Sequence, residues 1–236
     1  MNGLGSAIAE IEALKRAFAA RPPSADVLVC PPAPLLARAA AIAGSNLLIG
    51  AQDCAVQAFG AFTGDVSAEM LKDAGCSAVI VGHSERRQFH GEDDALVAAK
   101  ARAAWRGGLL AIICVGESES ERAEGRALDV VARQIAASIP EGADARTTSV
   151  AYEPVWAIGS GKTPTSAEIA EMHDHIRRSL ADRFPAAGAI RILYGGSVKP
   201  ANASEILGLA EVGGALVGGA SLKAAEFLTI IEAAPR

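Results

Sequence analysis

Three kinds of residue that can do chemistry follow short apolar runs in this sequence. Glu153 ends the run TTSVAY, His83 follows AVIVG, and glycine pairs follow ILY and ALV. A carboxylate can act as a general base, an imidazole can polarise a carbonyl, and unshielded glycine amides can approach a phosphate. Since loops after parallel strands build the sites of α/β folds, we expect these groups to meet in one site.

The glycine pairs are candidates for binding phosphate. Gly195-Gly196-Ser197 and Gly218-Gly219 stand in consecutive strand-to-helix loops. Their backbone N–H groups are unshielded by side chains, and helix N-termini just beyond them would add positive dipole ends. The structural alternative is that these glycines only make tight turns.

Glu153 is followed by a segment with the composition of a lid. Proline and tryptophan stiffen one end, GSGK lies in the middle, and Thr163-Pro164 forms a second hinge. A carboxylate beneath such a cover gains basicity as water is excluded, which suits a general base. The alternative is a capping carboxylate in a rigid loop.

His83 stands directly before SERR, which is predicted to start a short helix. A helix N-terminus disfavours a protonated imidazole, so we expect a neutral hydrogen-bond donor, although a lone histidine can also be structural. No role is assigned to His90, His173 or His175.

Apolar runs alternate with amphipathic helical segments, the pattern of one parallel α/β domain over residues 1–236. The strand candidates are 27–30, 46–51, 78–81, 109–115, 149–152, 190–194 and 215–218. The helix candidates are 6–20, 34–43, 66–74, 94–106, 119–138, 166–184, 201–209 and 223–234. Seven strands with eight helices suit either an eightfold βα barrel without its first strand or a seven-stranded open sheet.

The composition and charge of the chain limit the classes of function that it can have. Half of the 236 residues are apolar and 21% are charged, which predicts a folded core. The net charge of −5, without a Lys/Arg block, argues against nucleic acid or an acidic membrane surface as partner. The four separated cysteines are interpreted as core residues of a reducing compartment. No signal peptide or membrane span is recognised, so a cytoplasmic location is predicted.

Long motifs in this sequence resemble the triosephosphate isomerase family. They are MNG, CPPAPLL, GAQDC, GAFTGDVSAEMLKDAG, VGHSERRQFHGE, CVGE, AYEPVWAIGSGKTPT, ILYGGSVKPAN and LVGGASLK, in the family's order and across nearly the whole chain. The resemblance implies a (β/α)₈ TIM barrel that interconverts dihydroxyacetone phosphate and glyceraldehyde 3-phosphate in glycolysis or gluconeogenesis. It implies no metal and no organic cofactor.

The resemblance also implies roles for individual residues. Glu153 would move a proton between two substrate carbons, and His83 would polarise the carbonyl and shuttle the oxygen-bound proton. The backbone amides expected to bind the substrate phosphate are those of Gly159, Ser197, Gly218 and Gly219.

The resemblance further implies a homodimer. The GAFTG loop would insert into the neighbouring subunit, where Thr63 would support the partner's active site. Cys114 matches a cysteine near the catalytic glutamate, and we expect it to pack rather than react.

The sequence departs from the family at its N-terminus. The family begins with a strand that ends in Asn-x-Lys-Met-Asn-Gly, of which only Met1-Asn2-Gly3 is present here. The loss of the lysine predicts a poor catalyst and an opened barrel, and it predicts that Glu85 becomes a buried carboxylate without its partner. A start assigned too far downstream is the simplest explanation, and genuine loss of the strand is the alternative.

Two other functions stay open at this point. The chain could be a non-catalytic barrel that binds phosphate ligands, or another phosphate-binding βα barrel acting on a sugar or an amino-acid precursor. The presence of Glu153, His83 and a lid together argues against the non-catalytic barrel, which has no chemical need for all three. The short lid and the absence of large insertions argue against the other barrel, which would have a roomier site.

Overall fold

The computed structural model describes residues 1–158, 162–184 and 187–235. Within these ranges the chain forms a parallel sheet surrounded by helices. The strands are β1 Leu28–Val29, β2 Leu48–Ala51, β3 Ala78–Val81, β4 Leu110–Val115, β5 Thr148–Tyr152 and β6 Arg191–Tyr194.

The strands follow one another in the sheet in chain order, β1-β2-β3-β4-β5-β6, and each neighbouring pair is parallel. This is the order of a TIM barrel, in which each strand lies next to its successor. It excludes a doubly wound sheet, whose strand order reverses at a switch point. All carboxyl ends of the strands therefore meet at one edge, as the sequence predicted.

The prediction of a seventh strand at 215–218 is wrong. The structure has only an isolated bridge between Tyr194 and Ala215 there, with Leu216 N–H donating to the Tyr194 carbonyl at 2.9 Å. The chain then turns at Gly218 into a 3₁₀ turn, Gly219–Ser221. The segment therefore forms a single bridge to β6 and not a ladder of backbone hydrogen bonds.

The helices number ten among the described residues, against eight predicted. They are α1 Ile8–Ala20, α2 Leu36–Ala43, α3 Ala68–Asp73, α4 Ser84–His90, α5 Asp94–Arg106, α6 Glu119–Ala123, α7 Ala127–Ser138, α8 Ser166–Ala181, α9 Ala203–Leu207 and α10 Ala224–Glu232. Two differences account for the count: α4 forms a helix of its own, and the segment 119–138 breaks at Gly125, whose φ is +72°. That backbone conformation cannot continue a right-handed helix.

Capping residues start several of these helices. Ser67, Asp93 and Thr165 each accept a backbone N–H in the first turn of α3, α5 and α8. At α8 the cap is reciprocal, since Glu168 accepts the Thr165 N–H at 2.7 Å. These caps fix where the helices begin relative to the strand ends.

The core has two unequal layers. The larger lies between the sheet and the helices and includes Val79, Ile113 and Val150, all fully buried. The smaller covers the inner face of the sheet and consists of Ala78, Ile80, Ile112, Cys114 and Ala151. Apolar residues on both faces explain why these strands read as continuous hydrophobic runs.

A large cavity of about 2450 Å³ runs along the inner face. Leu28, Ile112 and Leu216 line it, together with side chains from α1 and α10 such as Leu14 and Phe227. Residues 1–27 contain a 3₁₀ turn and α1 but no strand, so β1 has one paired neighbour, β2. The described part of the chain contains no helix with the length and apolarity needed to cross a lipid bilayer.

Candidate active site

Glu153 and His83 meet at the carboxyl end of the sheet. Glu153 directly follows β5, and His83 lies just before α4 in the loop after β3. The His83 Nε2 atom is 3.0 Å from Glu153 Oε1. The Glu153 side chain is 2% exposed and that of His83 is 28% exposed, so the carboxylate lies beneath the imidazole.

The N-terminus of α4 holds the Glu153 carboxylate. Ser84 donates its backbone N–H to Oε2 at 2.9 Å and its hydroxyl to Oε1 at 3.1 Å. These bonds place the negative charge at the positive end of the helix, which stabilises it. Ser84 was not predicted as a site residue, although its place at the start of the SERR helix was the available signal.

His83 has a different partner on each ring nitrogen. Nδ1 accepts the Glu85 backbone N–H at 3.3 Å, while Nε2 faces Glu153. An acceptor at Nδ1 requires an unprotonated nitrogen, so we assign the proton to Nε2. In this tautomer the imidazole can donate to Glu153 now and to a substrate oxygen when Glu153 turns away.

The expected lowering of the His83 pKa is wrong for this arrangement. Burial of the imidazole lowers its pKa, but the hydrogen bond and charge of Glu153, with the charge of Glu85, outweigh burial and raise the pKa. The expectation rested on the helix end alone and did not include a carboxylate that follows a strand distant in the sequence.

The prediction that Glu85 is a buried, unpartnered carboxylate is also wrong. Glu85 is exposed, in the first turn of α4, and it faces the large cavity. A carboxylate in contact with solvent keeps its hydration without an ion-pair partner.

The predicted phosphate-binding residues line the same cavity as His83 and Glu153. Ser197, Gly218 and Gly219 all border it, as do His83 and Glu153. Gly159 lies outside the described residues. Thr63 is exposed in the loop between β2 and α3 and does not border the cavity, whereas its neighbours Gly64 and Asp65 do.

The two glycine pairs are glycine for different reasons. A Cβ on Gly196 would lie 2.1 Å from the Tyr194 hydroxyl, and one on Gly195 would lie 3.0 Å from Glu153 Cγ. A Cβ on Gly218 or Gly219 would meet nothing within 4 Å. None of the four has a positive φ, so none needs glycine for a left-handed turn, and Gly218 begins an ordinary turn that closes with the Ser221 N–H on its carbonyl. The first pair leaves space for the side chains of Glu153 and Tyr194, and the second pair leaves backbone amides open to the cavity.

Cys114 lies directly behind Glu153. It is fully buried in the inner layer, and burial, together with the charge and hydrogen bonding of Glu153, raises the pKa of its thiol. The thiol is packed among apolar side chains of the inner layer, and its packing role stays a prediction. No group of three or more potential metal ligands occurs among the residues described.

Glu117 anchors the segment that follows Glu153. It is fully buried at the end of β4, and its Oε1 accepts Trp156 Nε1 at 2.8 Å and the Tyr152 hydroxyl at 3.1 Å. The Glu117 carbonyl also accepts the Val155 N–H at 3.2 Å. Sequence analysis included this glutamate in the CVGE motif but gave it no role.

Comparison with known proteins decides the family. The family model described as triosephosphate isomerase matches residues 1–234. This chain belongs to the triosephosphate isomerase family. By family it is an isomerase with the TIM-barrel architecture.

Individual relatives agree with this assignment. The chain is 59% identical to the triosephosphate isomerase of Afipia carboxidovorans, over all of this chain and 94% of the relative. It is 57% identical to that of Rhodopseudomonas palustris with the same coverage. A crystal structure of the Bartonella henselae triosephosphate isomerase superposes with a TM-score of 0.91 at 49% identity, covering 99% of this chain and 94% of that one.

Proposed function

We propose that this chain interconverts dihydroxyacetone phosphate and D-glyceraldehyde 3-phosphate through an enediolate. The carrying observation is the 3.0 Å approach of His83 Nε2 to Glu153 Oε1 at the wall of a cavity bordered by the Ser197, Gly218 and Gly219 backbone. A base and a hydrogen-bond donor adjacent to each other suit proton transfer next to a carbonyl.

Glu153 is the base in this proposal. It removes a proton from the carbon next to the carbonyl and returns that proton to the neighbouring carbon, so no external proton is consumed. In the structure the Glu153 carboxylate is bound to Ser84 and His83, and it must turn from them to reach a substrate carbon. Its deep burial keeps water away from the place of proton transfer.

His83 serves the substrate oxygens. With its proton on Nε2, it donates to the carbonyl oxygen as negative charge develops there, and it then moves the proton between the two oxygens. The Glu85 N–H at Nδ1 fixes the ring orientation and the tautomer.

The phosphate is assigned to the backbone amides of Ser197, Gly218 and Gly219, with Gly159 joining them from the cover segment. The open space beside the last glycine pair supports this assignment, because nothing there shields the amides. Closure of the segment after Glu153 would protect the enediolate and its phosphate from water.

We further propose that the open side of the sheet reduces the activity of these 236 residues. Two observations support this: residues 1–27 hold no strand, and the cavity extends between β1 and the segment around Leu216. A cation added beside the developing oxyanion would strengthen the proposed catalysis.

A homodimer is the proposed assembly, with Thr63 supporting the partner's site. Exposed aromatic side chains beside that loop support it, since Phe59 is 91% exposed and Phe62 is 44% exposed. The proposed location is the cytoplasm, where the triose phosphates of glycolysis occur.

Glu153→Gln tests the proposed chemistry. We expect kcat for isomerisation to fall by about 10²–10⁴-fold, since the amide cannot accept the proton. The matched control is Glu12→Gln, which changes an exposed glutamate on α1. Equal turnover in the two variants would refute the role of Glu153. Tight binding of phosphoglycolate without isomerisation by the unmodified chain would favour the non-catalytic phosphate-binding barrel.

A further inference from the structure

The guanidinium of Arg122 lies between the two ends of the segment that follows Glu153. Arg122, on α6, donates Nη1 to Glu117 Oε1 at 3.2 Å and Nη2 to Glu168 Oε1 at 2.5 Å. Its Cζ also stands 4.7 Å from the centre of the Trp156 ring. One planar side chain therefore contacts three groups from three different parts of the chain.

Two of these contacts, with the Trp156 ring and with Glu117, hold the beginning of the segment. Trp156 is stacked by the guanidinium and donates to the same Glu117 oxygen that Arg122 binds. Since Glu117 is fully buried, its charge needs a cation, and Arg122 is the cation the structure places on it. Loss of Arg122 would leave the carboxylate that anchors Trp156 without this compensation.

On the other side the contacts reach the end of the segment. Glu168 binds Arg122 through Oε1 and caps α8 through Oε2, which accepts the Thr165 N–H at 2.7 Å and the Thr165 hydroxyl at 2.9 Å. The carboxylate thus links the guanidinium to the first residues of α8. A planar fork can bind two carboxylates and stack on an indole at once, which a lysine cannot.

We propose that Arg122 is a positioning residue that couples Trp156 to the N-terminus of α8, so that both ends of the segment after Glu153 share one anchor. The proposal rests on the proposed function only where it concerns catalysis. The coupling itself concerns the ligand-free protein and can be measured without turnover.

Trp156 fluorescence supplies the measurement. The chain has two tryptophans, so Trp105→Phe leaves Trp156 as the only reporter. In that background Arg122→Gln is expected to raise the acrylamide quenching constant of Trp156 by about two- to fivefold, because the stacked cation is lost. Arg122→Lys keeps the charge without the fork and should give an intermediate value. The control is Arg178→Gln, which removes an exposed arginine paired with Asp174.

The coupling is tested with Glu168→Gln, which keeps a capping side chain but removes the charge. We expect Glu168→Gln to increase quenching of Trp156 when Arg122 is present and to add nothing in the Arg122→Gln background. Phosphoglycolate affinity, followed by the same emission, should fall by about two- to fivefold in Arg122→Gln and stay unchanged in Arg178→Gln.

Two results would overturn the proposal. One is equal quenching in Arg122→Gln and Arg178→Gln, with circular dichroism showing that both are folded. The other is a Glu168→Gln effect of the same size with and without Arg122. Neither depends on isomerase activity, so a failure of the proposed function would be recognised separately by the Glu153→Gln assay.

Discussion

The two sides of the sheet differ in the length of their strand pairing and in the burial of their strands. Strands β3, β4 and β5 pair over four and five residues and bury both faces, and they carry His83 and Glu153 at their ends. At the opposite side β1 has two half-buried residues, and the chain near Leu216 has a single bridge to β6. His83 and Glu153 therefore lie at the ends of the fully paired strands, while the cavity that they border extends to the side where strand pairing is shortest.

This difference separates two requirements of the site. The orientation of Glu153 depends on buried neighbours that are all present, such as Ser84 and Cys114. The pairing of β1 and the lining of the cavity around Leu28 depend on the other side. Substitutions on one side can therefore be compared with substitutions on the other.

The largest expected effect comes from adding a strand beside β1, on the side of the sheet where strand pairing is shortest. Two versions of the chain are extended upstream of Met1 by a strand, one ending in Asn-x-Lys and one with Met in place of the Lys. Both should raise the urea midpoint, because β1 gains a paired neighbour. Only the lysine version should raise kcat/KM, by about 10²–10³-fold over the unextended chain, because it supplies a cation to the oxyanion. Turnover of the unextended chain close to that of the lysine version would contradict the proposed reduction of activity.

Core truncations compare the two sides directly. Ile113→Ala removes a fully buried side chain of β4 and should cost about 2–5 kcal/mol of unfolding free energy. Leu28→Ala removes a half-buried side chain that borders the cavity and should cost about 1 kcal/mol. Urea denaturation with a shared m-value measures both. Equal losses would mean that the core is as tightly packed at β1 as at β4.

The sequence predicted strands best where both faces are covered. Ala78–Val81 was predicted with its observed bounds, because an apolar run buried on both sides has the same limits as the strand. The run ALVG reads the same way, yet it forms one bridge. Whether a run pairs depends on a neighbour that is distant in sequence, and local pattern does not contain that information.

The candidate site also shows that local sequence pattern does not reveal contacts between distant residues. His83, Glu153 and the glycines could be selected because they follow apolar runs, and the structure places the described ones around one cavity. The bonds from Ser84 to Glu153 could not be predicted, because they join residues 69 positions apart. The exposure of Glu85 was missed for a related reason: a family contact was assumed to require burial.

Single glycine substitutions refine the comparison within the site. Gly196→Ala should cost about 1–3 kcal/mol, because its Cβ would collide with the Tyr194 hydroxyl. Gly219→Ala should change the unfolding free energy by less than about 0.5 kcal/mol, since its Cβ meets open space. Gly219→Ala should instead weaken phosphoglycolate binding by about fivefold, because its Cβ would occupy space through which the phosphate approaches the backbone amides. Thermal unfolding and inhibitor titration measure the two effects, and a destabilised Gly219→Ala would contradict the distinction.

The smallest effect concerns the charge of His83. Because Glu153 raises the His83 pKa against the effect of burial, Glu153→Gln should lower it, as measured by NMR titration with His83→Gln to assign the signal. A raised pKa in the folded state stabilises the fold fully below the unfolded value of about 6.5, and this contribution disappears as the pH rises through the folded pKa.

The unfolding free energy should therefore differ between the unmodified chain and Glu153→Gln by more at low pH than at high pH. Glu153→Gln also changes the hydrogen bonds with Ser84. The change of this difference with pH across the His83 titration reports on the pair of His83 and Glu153. A His83 that titrates below its ordinary value in the unmodified chain, or a flat difference, would mean that burial and the end of α4 control the imidazole rather than the carboxylate beneath it.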